Sequence, residues 1–361
     1  MVSDNQVQKA GDGATQVQAN SITIINGVTE ERVRAIFNEQ YKLARKEYTE
    51  DAYRIADERI GVFESRLMPR IMNVEGAMPS FSDPVFQVLL RHAQVSAATT
   101  EREADYDLLT ELLVCHVQKG NDRKNRAGIN RAVEIVGEID NEALCGLTVA
   151  HALASFSPVT GNTIDGIKVL NNLFSKIIYQ ALPSGSEWLD HLDILGAVRI
   201  MSFGNVKKTA EFYSSSLAGY TCVGIKAESE EYKKAADILD AAKIDPSILI
   251  PNDCLDGYYR LTLINEKQIE EPEFNNGSVC VSLSVEKRDA IKQVWDMYET
   301  EEALKKQVED RFMTLWDSFD ALHELREWWD SIPQAFSITQ VGRVLAQTNA
   351  KRCDPSLPDL I

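Results

Sequence analysis

From Thr29 to Ile60 the chain contains neither proline nor glycine, and no other feature limits its fold so strongly. Thr29 is a good N-cap, with Glu30 and Glu31 placed in the favourable first turn. Behind them Val33, Phe37, Tyr41, Ala44, Tyr48, Ala52 and Ile55 follow at steps of 4, 4, 3, 4, 4 and 3. That spacing averages about eleven residues per three turns, which keeps an apolar stripe nearly straight along a helix. The pattern predicts one rod of roughly 50–60 Å at about 1.5 Å per residue, ended by Pro69. A rod of that length must lie along a helical body or along a second copy of the chain.

Ahead of it stands a polar, β-prone arm. Gln6-Val7-Gln8 recurs as Gln16-Val17-Gln18, with the turn signal Gly11-Asp12-Gly13 between them. From Thr15 to Ile25 β formers mix with Gln and Asn; Val17 falls on one face and Ile22 and Ile24 on the other, which suggests a bulge near Asn20-Ser21. A lone hairpin of this size is marginal in water, so the arm either frays or finds a partner edge. The reading preferred from sequence is exchange between subunits. Its contacts would be Val17, Ile22, Ile24, Val33, Phe37, Tyr41 and Tyr48.

The 361 residues allow two or three domains. A net charge of -17 argues against general nucleic-acid binding and against an anionic membrane surface, both of which need a positive field. The six cysteines are scattered with no C-x-x-C, which favours reduced thiols over a disulfide framework or a zinc site. The opening residues are polar and no apolar run has transmembrane length, so a cytoplasmic location is expected.

The fold class expected is mainly α: a β arm, long helices, a helical bundle and a small α/β winged-helix-like module. The segments are 1–28 (strand arm), 29–75 (long helix and connector), 76–200 (bundle), 201–285 (small mixed module), 286–335 (a second long helix) and 336–361 (a closing strand and helix). Within the module, strands are expected at Tyr220–Lys226, Tyr258–Ile264 and Val279–Val285, and a helix at Ser229–Ala242. The second long helix carries a heptad step through Val308, Phe312, Leu315, Phe319 and Leu322.

Chemistry is harder to find. There is no G-x-G-x-x-G and no P-loop, since Gly204–Thr209 lacks the second glycine. His323-Glu324 does not continue to H-E-x-x-H, and Asp190, His191 and Asp193 suit a surface or cap role better than a metal. No G-x-S-x-G is present, and the five histidines are dispersed. No catalytic residue, metal ligand or cofactor is therefore expected. One basic cluster runs against the acidic composition: Lys119, Arg123, Lys124, Arg126 and Arg131. It either compensates a helix end and neighbouring carboxylates or contacts a phosphate or other anion.

Two stretches carry a resemblance. GDGATQVQANSITIINGVTEERVRAIFNEQY resembles the start of an uncharacterised bacterial protein family associated with phage defence, and FSITQVGRVLAQTNAKR resembles its F-x-[LI]-T-x-x-G-x-x-[LI]-A close. In the latter, Phe336, Ile338, Thr339, Gly342 and Leu345 fill the motif. The same close is similar to the last strand and helix of winged-helix domains, and SEWLDHLDILGAVRI to the helix that ends at Leu-Gly before a wing strand. The resemblance implies no catalytic residue. The arm, the two long helices and the missing catalytic signatures lead to the expectation of a non-enzymatic, homo-oligomeric interaction protein, and the resemblance adds that it acts as a defence sensor or scaffold with a protein partner or phage-derived trigger. Two alternatives stand beside it, a metal-dependent nuclease or nucleotide-processing effector and a winged-helix DNA-binding regulator. Acids at Glu187, Asp190 and Asp193 on the candidate recognition helix speak against DNA.

Overall fold

The computed structural model describes residues 29–44, 50–75, 77–120, 122–270 and 283–358. The strand arm with Val17, Ile22 and Ile24, and also Tyr48, lie outside the described residues. Within them the fold is mainly α.

The predicted rod is two helices, α1 (Glu30–Ala44) and α2 (Glu50–Met72). Twenty-six residues of unbroken helix would hold Phe37 and Phe63 about 39 Å apart; their ring centroids are 6.3 Å apart, and Arg34 reaches Glu64 at 3.4 Å. The two helices therefore run antiparallel, both against α4 (Pro84–Thr99), to which the short α3 (Ala77–Ser80) leads. The apolar stripe does not continue across the bend. On α2 the buried face is Ala56, Ile60, Phe63, Leu67 and Ile71, and Ile55 is left exposed. Nor does Pro69 end the helix: burial of Met68 and Ile71 holds the last turn despite the missing donor. The subunit contacts expected at Val33 and Phe37 are corrected here. Both are fully buried within the one chain, and Gln94 donates to the Phe37 carbonyl.

The bundle continues with α5 (Glu103–Lys119), α6 (Arg123–Ile135), α7 (Asn141–Ser155), α8 (Thr163–Ile177) and α9 (Glu187–Ile194). Asp83, Asp122, Asp140 and Asn162 accept first-turn N–H groups at the starts of α4, α6, α7 and α8, so local sequence fixes where these helices begin.

After α9 the chain forms β1 (Val198–Ile200), α10 (Thr209–Ser216) and α11 (Ala218–Thr221). The small module follows: β2 (Ile225–Lys226), α12 (Glu230–Ala241), β3 (Leu249–Pro251), β4 (Tyr258–Leu261), α13 (Lys267–Glu270) and α14 (Val285–Trp295). Its antiparallel sheet has the order β2-β4-β3, with its own apolar cluster around Leu239, Leu249, Leu261 and Val294. Tyr220, expected in a strand, lies in α11 with its hydroxyl on the Thr160 carbonyl. Of the strand expected at Val279–Val285, residues 279–282 lie outside the described residues, and Val285 opens α14.

The second long helix is likewise broken, into α14, α15 (Glu302–Asp317) and α16 (Asp320–Ser331). Between α14 and α15 the chain is pinned to the small sheet, Tyr298 accepting the Leu261 N–H and the Glu299 N–H reaching Gly224. Between α15 and α16 the turn lets Trp316 bury fully and donate to the Leu322 carbonyl. Tertiary partners override the heptad.

The chain closes with β5 (Phe336–Ile338) and α17 (Gln340–Cys353). β5 pairs antiparallel with β1, in the register Val198↔Ile338, Arg199↔Ser337 and Ile200↔Phe336. So the two stretches that resemble winged-helix halves do meet in one ribbon. α17 follows β5 directly, starting at the Thr339 cap. It lies at the centre of the bundle against α5, α6, α7 and α8, with Val344 to Ala350 buried. Residues 29–75 and 336–358 thus share one core with the bundle instead of standing beside it.

Candidate functional site: a cleft between the bundle and the ribbon

Two close approaches position the site. Thr339 caps α17, accepting the Gly342 N–H and donating to the carbonyls of Gly196 and Ala197. Gly342 passes so near β1 that a Cβ there would lie 2.0 Å from the Ala197 oxygen. Only glycine lets the helix run this close, and this gives the T-x-x-G pattern a packing reason. The approach sets Arg343 and, one turn on, Gln347 on the face of α17 that meets α7.

On α7, otherwise apolar almost all round, His151 is buried and Ser155 exposed. The His151 ring lies between Gln347 Oε1 at 3.2 Å from Nε2 and Ser155 Oγ at 3.2 Å from Nδ1. Gln347 Nε2 donates to the Pro358 carbonyl at 2.8 Å, so its amide oxygen is the atom facing His151. Nε2 therefore carries the imidazole proton, and Nδ1 accepts the Ser155 hydroxyl. Burial pushes the His151 pKa down; the Gln347 contact opposes this and the Arg343 charge reinforces it.

These groups border an open cleft of about 560 Å³ between α7, α17, β5 and the segment after β1. The carbon wall comes from Trp329, Phe336, Phe212 and Val206. Trp329 donates its indole N–H to the Lys207 carbonyl, so its one polar atom is already used. Thr209 fixes the same segment by donating its N–H and hydroxyl to Asp330. Polar atoms enter from Ser155, Asn205, Lys207, Ser337 and Arg343. The volume and lining are those of a small-molecule site.

As catalytic machinery the array is poorly disposed. Ser155 stands at the C-terminal end of α7, where the helix carbonyls disfavour a developing alkoxide. Gln347 is neutral and would not stabilise an imidazolium as a carboxylate does. The arrangement suits binding better: a fixed hydroxyl, a cation and an apolar wall.

The basic cluster read from sequence is not one site. Lys119 ends α5 beside Glu111 and Lys351, lining a cavity of only about 40 Å³. Arg123, Lys124 and Arg126 fan around the start of α6, whose positive end is already occupied by the Asp122 carboxylate, accepting the Asn125 N–H. Arg131 points elsewhere, to Glu134 at 3.0 Å. His191 accepts the Asp140 N–H, and His323 faces Asp317 and Glu327. Among the described residues no group of three or more His, Cys, Asp or Glu could hold a metal ion. Nor is any described helix long and apolar enough to cross a membrane. The sequence reading missed His151 and Ser155. The signal was there, as two polar residues four apart on an otherwise apolar helix, but their partner Gln347 is 196 residues away.

A protein-family model whose description reads only ":-like" matches residues 27–358. The chain belongs to that family. The match takes in the whole bundle, the small module and every residue of the cleft. No curated protein and no solved structure matches the chain.

Proposed function

We propose that this family member is a non-enzymatic binding protein, a sensor or scaffold whose cleft receives a small ligand. The carrying observation is the cleft itself: an apolar wall, an exposed hydroxyl held by a buried histidine, and a cation, all brought together from segments 150–155, 205–212 and 329–343. A ligand there bridges the bundle core to the ribbon and to the segment tied to α16, so its binding is felt by parts of the chain far apart in sequence. Ala154, exposed on the cleft rim, gives a clean block as Ala154→Trp. In a thermal-shift screen of a metabolite library, some compound should raise the melting temperature of the natural chain and not of the folded variant. If every stabilising compound acts equally on both proteins, the cleft is not the binding site.

Assembly is a second reading, and one observation favours it. Val85, Val88 and Val95 form an exposed stripe on α4, and Leu43 and Ile55 are exposed on the neighbouring α1 and α2. Of the α1 stripe that first suggested assembly, Val33 and Phe37 are buried within the one chain. Light scattering on the intact chain, on a chain lacking residues 1–28 and on Val88→Asp tests it. Three identical monomer masses end the assembly reading. A part in phage defence rests on the sequence resemblance alone, and an unchanged efficiency of plating with and without the chain, across a phage panel, would remove it.

A further inference from the structure

Across the whole chain acids outnumber bases, 55 to 38, yet no Asp or Glu lines the cleft while Lys207 and Arg343 both do. Lys207 has only a loose, exposed neighbour in Glu211 at 3.8 Å. Arg343 is exposed, with no ion pair among the described residues. In an acidic protein, a concave site with cations and no acids is a local reversal of field. It repels little that is negative and offers a guanidinium fork suited to an oxyanion. Behind the cations the wall is carbon, from the Trp329 indole and the Phe336 ring, whose planes meet at 62° with centroids 6.3 Å apart. Ser155, giving its proton to His151, turns its lone pairs to the cleft and so accepts rather than donates.

We propose that the ligand is an organic oxyanion with an apolar body and a hydrogen-bond donor. Its anionic group sits on Arg343 and Lys207, its body lies against Trp329 and Phe336, and its donor meets Ser155 Oγ. The assignment rests on the cleft being the binding site, and deepens that reading to a ligand class. Carboxylate and phosphate share the chemistry, so the test carries both.

The probes are 6-hydroxy-2-naphthoate, 6-hydroxy-2-naphthyl phosphate, uncharged 2-naphthol and inorganic phosphate, titrated into the full chain by calorimetry with Trp fluorescence alongside. Either naphthyl anion, or both, should bind about tenfold more tightly than naphthol, with the difference shrinking as salt rises. Arg343→Gln should cost the anions about tenfold and leave naphthol unchanged. Whichever anion binds more tightly identifies the oxyanion. Trp329→Phe should remove most of the fluorescence response. Naphthol binding as tightly as the anions, or Arg343→Gln leaving their affinity unchanged, overturns the oxyanion assignment while the cleft reading stands. Inorganic phosphate binding as tightly as naphthyl phosphate overturns the apolar body. If no probe binds, the oxyanion assignment is overturned and the cleft reading rests on the compound screen; if Ala154→Trp blocks none of the probes that bind, the cleft reading fails too.

Discussion

Of the places that bury polar side chains between apolar elements, the seam around Arg260 and the array around His151 differ in one respect. Around Arg260, where the small module meets the start of α8, the guanidinium is fully buried and donates to the carbonyls of Leu261 and Gly161 and to the Thr163 hydroxyl, over the Tyr220 ring at 5.5 Å. Asp253, 4.0 Å away, accepts the Thr163 N–H. Apart from the unpartnered Nε, its donors end on protein atoms. Around His151 the chain of contacts runs from Pro358 through Gln347 and the imidazole to Ser155, which is exposed. A polar group whose partners are all internal is a clasp. One whose last partner faces water is where a ligand can attach.

The comparison is most easily broken at the clasp. Arg260→Ala strands the Asp253 charge and the buried acceptors, and should lower unfolding free energy by about 3–5 kcal/mol in urea titrations. A loss under about 1 kcal/mol would show that the seam is not held by Arg260. Next comes Gly342→Ala, whose new methyl meets the Ala197 oxygen. It should cost about 1–3 kcal/mol and, by moving α17, alter the fluorescence of Trp329 on the cleft wall. Unchanged stability and emission would deny that this approach sets the cleft.

A smaller effect follows from pH. The His151 and His116 pKa values are both held below the ordinary 6.5, by burial first in each case. Above that value both are neutral whether folded or not, and the fold keeps its full stability. As pH falls below it, the unfolded chain takes up protons that the fold resists, so stability declines. His151→Asn should flatten part of that decline in denaturant midpoints between pH 7 and 5. An unaltered slope would mean that His151 is not the buried titrating group. Smallest of all, Ser155→Ala should leave stability within about 0.5 kcal/mol while weakening the ligand. A large loss of stability with unchanged binding would make the His151 array a second clasp.

What could be read ahead of the structure follows from how local each cause is. Caps such as Asp83, Asp140 and Thr339, the apolar runs of α4 to α8, and the mainly α class all depend on neighbours within a few turns. The two rods failed for the complementary reason. A 3.6-residue period says that a stripe is buried, not that its helix is unbroken. Phe37 finds Phe63, and Trp316 turns under Leu322, only because the chain bends where packing gains from it. The cleft failed more completely, since its residues come from segments with no contact in sequence. Of the basic cluster, conspicuous along the chain, Arg131 turns to Glu134 and the rest stands where α5 ends and α6 begins.

By itself the sequence determined the helical character, the α1 cap at Thr29, strand character near Val198 and Phe336, and an acidic composition. Only the tertiary structure decided that α17 lies at the centre of the bundle and that Gln347 orients His151. It also left Arg343 and Lys207 in a concavity without acids. The division is physical: capping and periodicity are set within a turn or two, whereas burial and the sign of a local field depend on which distant residues arrive beside one another.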